Sequence, residues 1–267
     1  MGSLSGRRAL VTGSFQGIGL GVAIGLAAEG CALVLHGLAD EATIAQARRA
    51  VLDAGAPAVE THCSDLRDPS ATAALIARVL ESGPVDILVN NAGIQFTAPI
   101  AEMPRAKWDD IIAINLSAAF DTMRLLLPQM AARGYGRVIN VASVHGLVAS
   151  VNKAPYVSAK FGLVGLTKVA ALEYAAAGDA VSGGITVNAI CPGWVETPLI
   201  EPQIQARADL HGGDREAGIA DLLSEKQPSR RLAATTEIGA LAAWLCDPRA
   251  HNITGTSIPV DGGWTAQ

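Results

Sequence analysis

Short apolar runs rich in β-branched residues alternate with helically spaced stretches along the chain. Ala9–Thr12, Ala32–His36, Ala58–His62, Val85–Asn90, Arg137–Val141, Thr186–Ile190 and Ser257–Val260 have strand composition. Gly17–Glu29, Glu41–Ala54, Pro69–Ser82, Lys107–Arg133 and Pro155–Ala177 lie between most of them and read as helices. V-D-I-L-V and R-V-I-N-V are apolar without alternation, as strands covered on both faces must be. Alternating strands and helices with right-handed crossovers predict an α/β fold, a doubly wound parallel sheet of seven strands. Pro128 lacks an amide hydrogen and crowds the preceding turn, so it should kink or end the fourth helical stretch.

The rhythm breaks once. Residues 197–231 separate a strand from the next helix and look helical in two pieces, Pro202–Leu210 and Arg215–Glu225, with H-G-G-D as the turn between them. An insertion of this length after the carboxyl end of a strand is expected to form a lid over an active site. No interdomain linker or internal repeat is visible, so residues 1–267 are read as one domain carrying that lid.

Composition narrows the partners. The formal charge is −5 with dispersed basic residues, which argues against nucleic acid or an anionic membrane as the main partner. The chain runs straight into its first strand without an apolar leader, and Glu29 and His36 interrupt the longest apolar tract; a cytoplasmic protein is expected. Cys31, Cys63, Cys191 and Cys246 are isolated, with no C-x-x-C, and read as reduced core thiols rather than metal ligands; no metal site is expected.

The chemistry gathers at 140–160. The Val138–Val141 run leads into Ser143, and a helix opening near Pro155 carries Tyr156 and Lys160, one above the other on a face. A neighbouring cation favours the phenolate, so Tyr-x-x-x-Lys can move a proton on or off an alcohol oxygen, and Ser143 can hydrogen-bond the same oxygen. The spacing alone recurs by chance. Gly13, Gly17 and Gly19, with Phe15, Gln16 and Ile18 between them, form a turn from the first strand into the first helix, where amides can hold a pyrophosphate. Asn90-Asn91-Ala92-Gly93 ends the fourth strand; its small residues allow an adenosine to lie against the backbone, and Asn90 can tie strands together. Asp65, followed by Leu66, is placed either to accept from an adenine amino group or to cap the next helix.

T-G-x-x-x-G-I-G, N-N-A-G, Asn115, Ser143, Y-x-x-x-K and Pro192-Gly193 stand in the order and spacing of the short-chain dehydrogenase/reductase family, which the chain resembles over nearly its whole length. The resemblance implies a single-domain Rossmann fold, a nicotinamide cofactor, and catalysis by Ser143, Tyr156 and Lys160 extended by Asn115. It also implies that Lys160 holds the nicotinamide ribose, that Asn115 anchors a proton-relaying water through its helix backbone, and that Pro192, Gly193, Val195 and Thr197 border the nicotinamide. The second strand ends His36-Gly37-Leu38-Ala39-Asp40, with no Arg for a 2′-phosphate and no acid in the expected place. Gln16 is uncharged, so NAD is favoured, with His36 the one objection.

Lys153, His145, Gln95 and Gln203, with Trp194, fall around this centre and suit a small carboxylate. Each has an ordinary alternative: Lys153, Gln95 and Gln203 as surface residues, His145 as a turn cap, Trp194 as core. Within the family, G-I-Q-F-T-A, S-V-H-G-L-V-A-S-V-N-K-A-P-Y, L-L-S-E-K-Q-P-S and V-D-G-G-W-T-A resemble the bacterial D-3-hydroxybutyrate dehydrogenases. That likeness implies a 3-hydroxy or 3-oxo acid substrate, carboxylate binding by Gln95, His145, Lys153 and Gln203, a pocket lined by Trp194 and Trp264, and a homotetramer. G-D-A-V-S-G-G at 178–184 is longer than the group's usual link. The rival expectations are an NADPH-dependent 3-oxoacyl thioester reductase and a dinucleotide sensor without catalysis.

Overall fold

The computed structural model describes residues 2–179 and 181–266. Seven parallel strands form one sheet in the order β3-β2-β1-β4-β5-β6-β7: β1 Arg8–Thr12, β2 Ala32–Gly37, β3 Val59–Cys63, β4 Ile87–Asn90, β5 Tyr135–Val141, β6 Gly184–Pro192 and β7 Ser257–Val260. The order reverses beside β1, and the carboxyl ends of β1, β4, β5 and β6 meet along one edge, where an open α/β sheet binds its ligand. Helices α1 Gly17–Ala28, α2 Glu41–Asp53, α3 Pro69–Glu81, α4 Arg105–Ile112, α5 Ala118–Arg133 and α6 Ala154–Tyr174 are the crossovers; α7 Glu201–Leu210, α8 Arg215–Lys226 and α9 Thr235–Cys246 follow β6. β4 and β5 are buried along their whole length, which is why their sequences show no alternation.

Three details differ from the sequence reading. Pro128 does not end α5, which runs on to Arg133 and a left-handed Gly134. Only the Arg124 carbonyl loses its donor, and the burial of Leu126, Leu127 and Met130 outweighs that loss. The break falls earlier: Ala113–Ser117 is a π turn, with the Ala118 amide bonded to the Ala113 carbonyl, and Asn115 lies inside it. Cys63 is exposed rather than core, whereas Cys31, Cys191 and Cys246 are buried. The continuous run Arg105–Arg133 is long and apolar enough for a membrane span, yet its apolar face packs on the sheet.

A polar thread crosses the core. Thr122 Oγ1 donates to Asn90 Oδ1 (2.7 Å), Asn90 Nδ2 to Asn140 Oδ1 (2.9 Å), and Asn140 Nδ2 to Thr167 Oγ1 (2.8 Å). It fixes β4 against β5 and both against α5 and α6, the strand-tying role read for Asn90.

The excursion after β6 begins and ends at one place. A parallel bridge joins Val195 to Ala233, and the Ala233 amide donates to the Trp194 carbonyl (2.9 Å). Between these feet, α7 and α8 pack as a pair over Val144, Trp194 and Trp264 through Ile200, Ile204, Leu222 and Leu223. Surface ion pairs Arg207–Asp221, Arg207–Glu225 and Arg215–Glu201 align the helices and add little stability. In the 178–184 link, the Asp179 carboxylate accepts from the Val181 and Ser182 amides, at the sheet end opposite the site; Ala180 lies outside the described residues.

Candidate active site

The turn between β1 and α1 is set by contact. Gly13 has φ +63°, and a Cβ there would lie 2.8 Å from the Ala92 Cα; a Cβ on Gly19 would lie 2.2 Å from the Gly13 carbonyl oxygen. The Asn91 side chain donates to the Thr12 and Gly13 carbonyls (3.0 and 2.9 Å), and Thr12 Oγ1 accepts from the Asn91 and Ala92 amides (3.0 and 3.1 Å). The glycine turn and N-N-A-G are therefore one unit.

A cleft of about 630 Å³ opens above it, walled by Gly13, Phe15, Gln16, Gly17, Ile18, Asn91, Ala92, Gly93, Tyr156, Lys160 and Thr197, and by Gly37 to Asp40 at its far end. Gly13 and Gly17 leave the backbone open to the cleft beside the N-terminus of α1, which fits a dinucleotide. Gly19 lies under the turn rather than in the wall. Asp65 and Leu66 are outside the cleft: Leu66 is buried in the core, and the Asp65 carboxylate is held by the Arg67 amide and guanidinium, which draw its pKa down. The next helix is capped by Asp68, not Asp65, through the Ser70 amide (2.8 Å).

His36 is buried and does not line the cleft, its Nε2 2.9 Å from Ser64 Oγ. Burial lowers its pKa to about 4, so it is neutral at pH 7. Asp40 caps α2 by accepting from the Thr43 amide (2.8 Å) and lines the cleft as well. Among the described residues of the cleft wall, Lys160 is the only cation.

A chamber of about 60 Å³ adjoins the cleft, lined by Gln95, Ser143, His145, Lys153, Tyr156, Pro192, Gly193, Trp194, Val195, Thr197 and Trp264. Tyr156 belongs to both spaces. Burial pushes its phenol up, and the neighbouring Ser143 hydroxyl draws it down. Lys160 Nζ donates to the Val141 carbonyl (2.8 Å) and lies 5.6 Å from the Tyr156 ring centroid, so its ammonium stands near the phenol without a direct hydrogen bond to it. Burial lowers Lys160 to about 8, so its charge survives at neutral pH.

Lys153, for which a solvated surface charge is the more ordinary reading of the sequence, is 7% exposed. Its Nζ donates to Gln203 Oε1 (3.2 Å) and lies 5.0 Å from the Trp194 ring centroid, and burial lowers its pKa to about 8. His145 has its Nδ1 3.3 Å from the Val148 carbonyl; a carbonyl only accepts, so Nδ1 carries the hydrogen. Burial first, then the Lys153 charge, lowers it to about 4. The ring meets Tyr156 and Trp264 edge-on, at 6.1 and 5.4 Å. Gln203 Nε2 and Trp194 Nε1 are buried donors without a partner among the described residues. Asn115, at the back of the site, exchanges two hydrogen bonds with Ile94 (2.9 and 3.0 Å), bracing the strand-end loop that carries Gln95.

Sequence reasoning missed several supports. Gln227 accepts from the Trp194 amide (3.0 Å) and donates to the Arg231 carbonyl. Asp261 accepts from Gly263 and Thr265 and so fixes the turn bearing Trp264. Lys226 lies 5.6 Å from the Trp264 ring centroid. A buried glutamine and a late acid carry no local signal; only their sequence neighbourhood, E-K-Q and V-D-G-G-W, marks them.

A parallel seven-stranded sheet with this glycine turn and a serine, tyrosine and lysine at its carboxyl edge defines a nucleotide-dependent oxidoreductase, and the chain belongs to the short-chain dehydrogenase/reductase family. The matching family model, described as enoyl-(acyl carrier protein) reductase, spans residues 13–265. The D-beta-hydroxybutyrate dehydrogenase of Cupriavidus necator is 47% identical over 99% of this chain and 100% of its own length. That of Rhizobium meliloti is 44% identical over 98% of this chain and 99% of its own. Among solved structures, L-sorbose reductase from Gluconobacter frateurii, complexed with NADPH and L-sorbose, superimposes with a TM-score of 0.91 at 31% identity, each chain covered completely.

Proposed function

We propose that this protein interconverts (R)-3-hydroxybutyrate and acetoacetate with NAD as cofactor. The observation that carries the reading is Tyr156 at the junction of cleft and chamber, with a buried cation on either side: Lys160 in the cleft and Lys153 in the chamber. The names of the two hydroxybutyrate dehydrogenases support the same substrate.

The glycine turn and the start of α1 would hold the pyrophosphate, Asn91 to Gly93 would flank the adenosine, and Thr197 with Pro192, Gly193 and Val195 would border the nicotinamide, whose chemistry would be to accept the hydride of C3. Tyr156 removes the hydroxyl proton as that hydride leaves, and Ser143 hydrogen-bonds the oxygen as it becomes a carbonyl. Lys160, now on the Val141 carbonyl, would hold the ribose hydroxyls and keep its charge beside the phenolate, and a water on the main chain of the π turn at Asn115 would carry the proton away. Lys153, Gln203 and Gln95 hold the carboxylate; its charge draws a proton onto His145 Nε2, which then donates too. Trp194 and Trp264 enclose the methyl end. Residues 197–231 act as the lid, excluding water and fixing the reacting carbons.

NAD is favoured because a 2′-phosphate would meet Asp40 and no cation at the cleft end, and because His36 is buried and neutral. The exposed Phe120 and Phe161, on α5 and α6, with Leu172 and Trp244 on α6 and α9, support a homotetramer. We assign it to the cytoplasm, in keeping with its four unpaired cysteines. The test is a screen of NAD and NADP reduction over both enantiomers of small 3-hydroxy acids, alongside 3-oxoacyl thioesters with NADPH. Preference for thioesters over the (R)-acid would overturn the reading, as would equal kcat/KM with the two cofactors for the NAD assignment; light scattering reporting a monomer would refute the tetramer.

A further inference from the structure

Four side chains form a column along the outer wall of the chamber. Lys153 Nζ stands 5.0 Å from the Trp194 ring, Trp194 and Trp264 are tilted against each other with centroids 5.7 Å apart, and Lys226 Nζ stands 5.6 Å from the Trp264 ring. Each indole thus has a cation over its outer face. Lys226 is the last residue of α8, where a helix C-terminus favours a cation, and its Nζ donates to Ser150 Oγ (2.9 Å). Ser150 lies in the loop between His145 and Lys153, so this contact ties the second helix of the excursion to the segment bearing two of the chamber's polar groups. Gln227, the next residue, holds the Trp194 main chain. The Lys226 side chain is 29% exposed, and its acidic neighbour Glu225 is 3.9 Å away and paired with Arg207 (2.7 Å).

We propose that Lys226 is a specificity-determining positioning residue: it latches the lid to the Ser150 loop and sets a second positive charge behind Lys153, so that the closed chamber selects an anionic substrate over a neutral one. This rests on the carboxylate reading of the chamber. The electrostatic part follows from the same proximity: burial first and then the Lys226 charge lower the pKa of Lys153, which Glu225 raises, and at His145 Lys226 adds a smaller lowering after burial and Lys153. Lys226 reaches the carboxylate through space and through the latch, and touches neither the reacting carbon nor the cofactor cleft.

The experiment compares Lys226→Met, Lys226→Arg and Ser150→Ala with the wild type, each checked for native circular dichroism. For (R)-3-hydroxybutyrate, Lys226→Met should raise KM about tenfold with kcat within about threefold, as expected for loss of a binding interaction shared by ground and transition states. Ser150→Ala should raise KM about two- to threefold, and Lys226→Arg should restore most of the affinity. The methyl ester should show little change. In Lys226→Met the alkaline fall in kcat/KM should move to higher pH, because Lys153 has lost a like charge; a purely structural latch would not move it. Unchanged KM, or equal losses on acid and ester, overturns the proposal. If the wild type turns over no 3-hydroxy acid, the functional reading fails instead, and Lys226 is judged by acetate and acetoacetate affinity of the NADH-loaded protein; equal affinity in wild type and Lys226→Met then overturns it.

Discussion

Around the glycine turn, polar groups are tied to protein; around the chamber, they are left over. Asn91 and Thr12 use their side chains on backbone groups of the turn itself, and the Asn90–Asn140–Thr167 thread is closed from end to end. In the chamber, Gln203 Nε2 and Trp194 Nε1 have no partner among the described residues, and Lys153 is a buried ammonium with one neutral acceptor. A buried donor without a partner is costly, and a buried cation without an anion more so. The difference teaches what each region is for. The turn has spent its polar groups on itself, whereas the chamber keeps spare donors of the kind that the proposed carboxylate would satisfy.

The comparison can be broken first at the residue both regions share. Tyr156→Phe removes the oxygen at the junction and should lower kcat by about a thousandfold or more while NADH binding, followed by fluorescence, stays near normal. Near-wild-type turnover in a folded Tyr156→Phe protein would falsify its assignment. Next comes the glycine turn. Gly19→Ala drives a methyl into the Gly13 carbonyl and Asn91 Nδ2, so stability should fall by about 3 kcal/mol and NAD affinity with it. A denaturant titration unchanged from wild type would mean the turn yields to the added methyl.

The chamber is sharpened by Lys153→Met, which keeps the stem and removes the charge. A charge-assisted hydrogen bond of about 1.5–3 kcal/mol predicts a ten- to hundredfold loss in kcat/KM for the acid, with little loss for its methyl ester. The wild type should report the same group through pH. Lys153, lowered to about 8 in the free protein, is charged below that pH and neutral above it, so kcat/KM for the acid should decline as pH rises through 8. A profile that follows acid and ester alike would assign the decline to another group. The smallest effect is expected at the rim: Asp40→Ala should improve NADP use by a few fold and lower the melting temperature slightly. If NADP kinetics are unmoved, Asp40 takes no part in cofactor choice.

The sequence announced the strands plainly because doubly buried strands must be continuously apolar, and V-D-I-L-V and R-V-I-N-V are. Helix α9 received no bounds, since T-T-E-I-G-A-L-A-A-W-L-C is apolar nearly all round and carries little periodic signal. The π turn was invisible because i→i+5 bonding has no sequence period of its own. Pro128 misled because a local steric rule was weighed without the core contacts that override it. Tyr156, Lys160 and the glycines were legible through short spacings on one element. Lys226, Gln227 and Asp261 were not, since they come from distant segments and resemble ordinary surface polar residues until α7 and α8 are packed over Trp194 and Trp264. Asp40 was passed over because it stands beyond the strand end where an acid is looked for; the cleft runs far enough to meet it.

Asp40 also sets a constraint on change. Its carboxylate caps α2 and lines the far end of the cleft, so on the proposed NAD reading cofactor preference and helix initiation share one side chain. A lineage or a designer moving this scaffold toward NADP cannot place a cation at position 40 without uncapping that helix. The lower-friction route keeps a short capping residue there, such as serine, and installs the cation at Leu38, which is exposed on the same rim. Two coordinated substitutions rather than one would mark such a transition, with the capping replacement coming first.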